Sequence, residues 1–396
     1  MSEKQDLSFF TRVVHAGADD GEHHGALSVP IYHASTFELP DADEGAAIHN
    51  EEKPGYYYGR LGNPTQSALE SAMADLEGAD SAIALASGMA AVSGVVLSLL
   101  KTGDHIIAPV SGYSTTANFL NYIAENFGIS STFVDARDSE DYASALQENT
   151  RLLWVETPSN PLLNITDIAA VAKIANDRGI HCVVDNTFAT PFNQQPLSLG
   201  AHAVIHSATK YLGGHSDVTG GIVAGRKDVI ERVRKGANKY FGGNISPNAA
   251  WLVLRGIKTL ALRMERHNSN AFAIANMLSG HSRVSAVHYP GSSDHKGHEI
   301  AGRQMSKGFG GMVSFDVGSF DAGKVFVNNV RLCKLATSLG GVETIVQHSA
   351  SMTHATLTPD ERARAGISEG LIRLSVGIEY ADDLIADIQF ALEHSR

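Results

Sequence analysis

The chain has 396 residues, 43% of them hydrophobic and 19% charged, with a formal net charge of −12. That length is too great for one small core and suits two domains plus a short arm, and the acidic balance argues against nucleic acid or an anionic membrane as main partner. The two cysteines, Cys182 and Cys333, form no Cys-x-x-Cys pair, and the eighteen histidines show no His-Glu-x-x-His spacing, which speaks against a disulfide framework or a metal site and suits a reducing cytoplasm.

Met1–Asp6 contain no apolar stretch of the kind a secretory signal needs. Up to residue 61, Gly and Pro breaks and weak periodicity predict an irregular N-terminal arm. From 62 to 256, strand and helix patterns alternate, with strands expected at 81–85, 105–109, 131–134, 152–156, 182–185, 203–206 and 221–224. Such alternation predicts an α/β domain, a mostly parallel seven-stranded sheet covered by helices. Residues 81–100 are uncharged for twenty positions, long enough for a membrane span. Four serines and two glycines interrupt the run, and no second such segment exists, so a strand followed by a buried helix is the better reading. A long helical stretch over 247–277 leads into a smaller α+β domain, 257–396, with strands expected at 284–289, 311–317 and 371–375.

Three strand ends carry the chemistry. After the first strand, Ser87-Gly88-Met89 opens a helix of small residues; the free N–H groups of Gly88 and Met89 and the helix dipole there favour an anion such as phosphate. The run Cys182-Val-Val-Asp185 ends in a carboxylate where ligands gather in parallel sheets. Alone, Asp185 would be read as a cap for the next turn; facing a pyridine nitrogen, it would keep that nitrogen protonated. Ala203-Val-Ile-His-Ser-Ala-Thr-Lys210 runs from an apolar strand into a lysine flanked by the hydroxyls of Ser207 and Thr209. A solitary lysine is usually a surface residue. Held at a sheet mouth, it is desolvated, and the lowered pKa suits a Schiff-base lysine.

These residues belong to longer motifs: Thr11-Arg-Val-Val-His-Ala-Gly, Tyr57-Tyr-Gly-Arg-Leu-Gly-Asn-Pro-Thr, Glu156-Thr-Pro-Ser-Asn-Pro, Val184-Asp-Asn-Thr-Phe, His206-Ser-Ala-Thr-Lys-Tyr, Ser349-Ala-Ser-Met-Thr-His and Leu371-Ile-Arg-Leu-Ser-Val-Gly. Over nearly its whole length the chain resembles the pyridoxal-phosphate enzymes of cysteine and methionine metabolism. That family includes cystathionine γ-synthase and γ-lyase, methionine γ-lyase and the O-acylhomoserine sulfhydrylases. The resemblance implies the fold-type I architecture of aspartate aminotransferase and pyridoxal 5′-phosphate as cofactor. It implies that Lys210 holds the cofactor and moves protons, that Asp185 pairs with the ring nitrogen, and that Ser87, Gly88, Met89, Ser207 and Thr209 cradle the phosphate. Tyr113 matches the tyrosine that stacks on the cofactor ring and protonates the departing sulfur. Asn160, Ser338 and Arg373 match the residues that hold the substrate carboxylate. Tyr58 and Arg60 match a pair that reaches the phosphate of the neighbouring subunit, which implies at least an obligate dimer, and the family's usual assembly implies a dimer of dimers.

The resemblance leaves several reactions open: γ-elimination from methionine, γ-elimination from cystathionine, and γ-replacement on a homoserine ester. Thr337 stands where the cystathionine enzymes usually carry a glutamate suited to a distal ammonium. Thr115 stands where methionine γ-lyases typically carry a cysteine, and Lys239-Tyr240 replaces the Lys-Asp pair that accompanies it. Phe241-Gly-Gly-Asn-Ile-Ser-Pro, Arg263-Met-Glu-Arg-His and Arg303-Gln-Met-Ser look more like the methionine enzymes; His215-Ser-Asp looks more like the cystathionine enzymes. Methionine γ-lyase leads. Two readings of other classes remain: a nicotinamide oxidoreductase, which lacks its Gly-x-Gly-x-x-Gly fingerprint here, and a catalytically inactive binding protein on the same fold.

Overall fold

A computed structural model describes residues 7–18, 23–353, 355, 358–364 and 366–395. The Met1–Asp6 segment and His354, the last residue of one motif, lie outside them. Seven strands form the large sheet: β1 (Ser81–Leu85), β2 (His105–Pro109), β3 (Ser130–Val134), β4 (Thr150–Glu156), β5 (His181–Asp185), β6 (Ala203–Ser207) and β7 (Gly221–Gly225), in the order β1-β7-β6-β5-β4-β2-β3. Only β7 runs antiparallel to its neighbours; the β6-β5-β4-β2-β3 pairings are parallel.

Alternation explains why the inner strands are largely apolar runs. Leu152, Trp154, Val183 and Ile205 face one side and pack with the helix Gly88–Leu99; Leu153, Val155, Cys182 and Val184 face the other and pack with the helix Ile168–Arg178. Strands covered on both faces have no solvated side on which to place polar residues. Each fully buried large side chain contributes roughly 1.5–3 kcal/mol. The uncharged run 81–100 is thus β1 plus a twelve-residue helix, and no helix among the described residues is long and apolar enough to cross a membrane.

A second sheet has the order β10-β11-β12-β9-β8, from β8 (Ala286–His288), β9 (Met312–Asp316), β10 (Lys334–Leu335), β11 (Ile345–His348) and β12 (Leu371–Ser375). One of its faces carries Val313, Phe315, Ile372 and Leu374 and packs on the helices Leu260–Ser279, Phe320–Asn329 and Ala381–His394. Ser314 lies beside Arg373 in the β9–β12 register, and its hydroxyl donates to Pro161 O (2.7 Å), a residue of the loop after β4. This face of the small sheet meets the large one.

Three local expectations are corrected. The helical stretch over 247–277 is two helices, Pro247–Ile257 and Leu260–Ser279, parted where Thr259 Oγ1 turns back to Gly256 O (3.2 Å). The arm is not irregular throughout: Phe9–His15 and Ala42–His49 are helices, with Ser8 and Asp41 accepting N-terminal amides. At two turns each, they are too short to show periodicity. Strands β10 and β11 were not expected, because β10 has two residues and β11 mixes Ile-Val with a buried Gln-His pair.

Candidate active site

The parallel register brings Glu156 beside Asp185, and Asp185 beside Ile205, at one edge of the large sheet. Above this edge is a cavity of about 520 Å³. Twelve of the fourteen sequence-predicted residues line it together: Ser87, Gly88, Met89, Tyr113, Thr115, Asn160, Asp185, Ser207, Thr209, Lys210, Ser338 and Arg373. Tyr58 and Arg60 do not reach it within the protomer. Both are exposed, with the Arg60 guanidinium 5.7 Å over the Tyr58 ring and Nη1 donating to Lys239 O (2.5 Å).

Ser87 caps the helix Gly88–Leu99 by accepting the Ala90 amide (3.1 Å), which leaves the first-turn amides to face the cavity mouth. The helix start lies tight against the end of β6: a Cβ on Gly88 would come within 2.8 Å of Ser207 Cβ and Oγ. Ser207 N donates to Thr187 Oγ1 (2.9 Å), and Thr209 Oγ1 bonds the main chain of Gly220. Asp185 does cap its own turn, accepting Thr187 N at 3.0 Å, so the structural and ligand-facing roles coexist. Burial raises its pKa above the usual carboxylate value, opposed by the Thr187 hydrogen bonds and the nearby His206. His206 itself points the other way, Nε2 meeting Glu77 Oε1 at 2.5 Å in the core.

Lys210 Nζ donates to Ser338 Oγ at 2.6 Å. Burial, with the Arg373 charge nearby, pushes its pKa down to about 8, so roughly a tenth of the amine is unprotonated near neutral pH, far more than for an ordinary lysine. Ser338 holds φ +80°, a left-handed conformation that costs a non-glycine residue of order 1–3 kcal/mol, a cost its surrounding contacts must offset.

Arg373 is only 4% exposed. Its Nη1 donates to Asn160 Oδ1 (2.7 Å) and its Nη2 to Ser338 O (2.8 Å), while Nε is buried without a partner. Among the described residues it forms no ion pair with a carboxylate, and burial lowers its pKa to about 10. A buried guanidinium with only neutral partners is matched to an anion from outside the chain.

Glu156 was not singled out from sequence. Its carboxyl is 6% exposed and receives two main-chain donors, Tyr113 N on Oε2 (2.7 Å) and Asn160 N on Oε1 (3.0 Å). Burial first, then the Asp185 charge, raises its pKa to about 8, against the two amide bonds. Its place at the head of Glu156-Thr-Pro-Ser-Asn-Pro, ending a buried strand as Asp185 ends the next, was the available signal. Thr353 and Thr337 also line the wall.

The donor set fits pyridoxal 5′-phosphate: an amine of lowered pKa, a carboxyl at the next strand end, a helix N-terminus with flanking hydroxyls for the phosphate, and a buried cation for an α-carboxylate. The comparisons agree. An L-methionine gamma-lyase from Pseudomonas putida is 46% identical over 98% of this chain and 98% of that protein, and one from Fusobacterium nucleatum is 45% identical over 97% of each. A cystathionine gamma-lyase from Bacillus subtilis is 46% identical over 97% of this chain and 99% of that protein. The crystal structure of metB from Corynebacterium glutamicum matches over 100% of both chains with a TM-score of 0.93 at 42% identity. The sequence pattern described as Cys/Met metabolism PLP-dependent enzyme spans residues 10–393, and with this site beneath it the chain belongs to that family of pyridoxal-phosphate enzymes.

Proposed function

We propose that the protein catalyses γ-elimination from L-methionine, consuming water and releasing 2-oxobutanoate, ammonia and methanethiol. The observation that carries this reading is the charge of the cavity wall. Among the described lining residues the only carboxyls are Glu156 and Asp185, both at the strand ends, while the outer wall offers Thr115, Thr337, Leu339 and Thr353. That lining suits a neutral thioether better than a side chain ending in an ammonium.

Bound over the strand ends, pyridoxal phosphate supplies an electron sink for the charge left when Cα loses its proton. Lys210, Asp185 and the cradle of Ser87, Gly88, Met89, Ser207 and Thr209 would hold it. Arg373, with Asn160 and Ser338, binds the substrate carboxylate and fixes the orientation of Cα. Lys210 Nζ is placed to take the Cα proton and, once it has passed that proton on and is a free amine again, one from Cβ; its lowered pKa favours the free amine for both. Tyr113, 44% exposed on the cavity rim, hands its phenolic proton to the departing sulfur.

The chain works as an arm (1–61), a cofactor-binding domain (62–256) and a C-terminal domain (257–396). Tyr58 and Arg60 of one subunit complete the phosphate site of another, in a dimer of dimers. The cytoplasm is the proposed location, supported by two free, buried cysteines. Cystathionine cleavage is the second reading, favoured by the equal similarity to the Bacillus subtilis enzyme. The deciding experiment is 2-oxobutanoate release by the cofactor-loaded enzyme from equal concentrations of L-methionine and L-cystathionine. Faster release from methionine, with methanethiol, is expected; release from cystathionine alone would overturn the reading.

A further inference from the structure

We propose that Glu156 is a positioning residue that sets the main chain on both sides of the cavity, acting through Tyr113 and Asn160. One carboxyl group, with two oxygens, accepts two amides from segments that are 47 positions apart in sequence (160 − 113): Oε2 from Tyr113 N, Oε1 from Asn160 N. Tyr113 starts the helix Ser114–Phe127 and supplies no side-chain cap of its own, so the bond to Glu156 anchors the turn that aims the phenol. Asn160 Oδ1 in turn receives Arg373 Nη1. The same carboxyl therefore ties the turn after β2 to the loop after β4, and through Asn160 to the guanidinium on β12.

The neighbouring main chain is fitted to this clamp. A Cβ on Gly112 would stand 2.9 Å from Glu156 Oε2 and 3.3 Å from its Cδ, so a side chain at 112 would push the carboxyl out of its place under the turn before Tyr113. A glutamine in place of Glu156 offers one acceptor where two donors converge, and its amide N–H would oppose the second donor. An aspartate is one methylene too short to reach both. The inference rests on the roles proposed for Tyr113 and Arg373 but is independent of which sulfur amino acid is turned over.

The test uses Glu156→Gln and Gly112→Ala in the loaded enzyme, with the best substrate of the wild type. Each buried amide left without its acceptor is expected to lower kcat/KM by about 10- to 100-fold, through both a lower kcat (Tyr113) and a higher KM (Asn160 and Arg373). In parallel, hydrogen exchange should quicken by about 10-fold or more in the segments containing Tyr113 and Asn160, in loaded and cofactor-free protein alike, with residues 152–155 of β4 unchanged. Gly112→Ala should reproduce the Tyr113 half of this pattern. Wild-type kinetics with unaltered exchange in Glu156→Gln would overturn the proposal. So would faster exchange along all of β4, which marks a residue that merely holds the fold. If the wild type released no 2-oxobutanoate from any sulfur amino acid, the proposed function would fail while the exchange data still judged the clamp.

Discussion

Arg373, in the middle strand of the small sheet, donates Nη1 to Asn160 Oδ1 at 2.7 Å, joining residues 213 positions apart. The contact pairs an amide carried by the large sheet with a guanidinium carried by the small one, at the place where the two sheets meet. Because the guanidinium keeps a buried, unpartnered Nε and, among the described residues, no carboxylate ion pair, its charge remains available to a ligand. Arg373→Ala should raise KM for the amino-acid substrate by about 10- to 100-fold, since a hydrogen bond to a charged group contributes roughly 1.5–3 kcal/mol, with a smaller effect on kcat. Steady-state kinetics decide it: an unchanged KM would make the arginine purely structural.

Lys210 should stand out among the lysines of the cofactor-free protein. With its pKa lowered to about 8 by burial and Arg373, its acylation by a limiting amine-directed reagent should reach half its maximal rate near pH 8. Exposed lysines should still be climbing towards their ordinary value near 10.4. Competitive labelling read by mass spectrometry gives the profile. A Lys210 profile with no inflection near pH 8 would contradict the desolvated site. Lys210→Ala should abolish turnover and leave the fold intact.

The strand ends were legible in the sequence because each is a buried apolar run that stops at polar residues: Val184 before Asp185, Ile205 before His206 and Ser207. Burial on both faces makes such runs conspicuous in the inner strands, while the partly exposed edge strand β3 (Ser-Ser-Thr-Phe-Val) shows instead as a short β-branched and aromatic run. Arg373 was readable as a cation in an apolar strand. Glu156 also ends a buried run, but its role depends on the β4–β5 register and on an amide 43 residues earlier, which its own segment does not reveal. The break at Lys258-Thr259 escaped for a related reason: both flanking helices keep helical periodicity, and the turn between them contains neither glycine nor proline.

Glu156 should leave a signature on stability as well as on catalysis. Its folded pKa, raised to about 8 from an ordinary 4.5, means that the folded chain binds more protons than the unfolded one between those values. Its contribution is then fully present below pH 4.5 and is lost as pH rises through 8. Comparing cofactor-free wild type with Glu156→Gln by denaturant melts from pH 5 to 8, the wild type should lose stability relative to the variant as pH rises. A difference independent of pH would place the carboxyl in its ordinary range.

Thr337 lies exposed on the cavity wall, in a position to meet the distal end of a substrate. Thr337→Glu should shift the ratio of kcat/KM values toward cystathionine over methionine. An ion pair at an exposed position contributes roughly 0.2–1 kcal/mol, so the expected change is about 1.5- to 5-fold. Measured with both substrates on both proteins, an unchanged ratio would remove Thr337 from the specificity determinants.

Tyr58 and Arg60 are the two site residues that the protomer leaves outside its own cavity, and their exposure gives the subunit arrangement a direct test. If Arg60 serves the neighbouring subunit, Arg60→Ala and Lys210→Ala should each be impaired alone. A hybrid dimer of the two would then contain one site with a native Lys210 and a native Arg60 from its partner, beside one site lacking both. Random reassortment of equal amounts makes half the dimers hybrid with one good site each, so about a quarter of wild-type activity should return. If Arg60 instead served its own subunit, every site in the mixture would carry one of the two lesions and no activity would return on mixing. The regain therefore reports on which subunit supplies the arginine, whatever the final number of subunits.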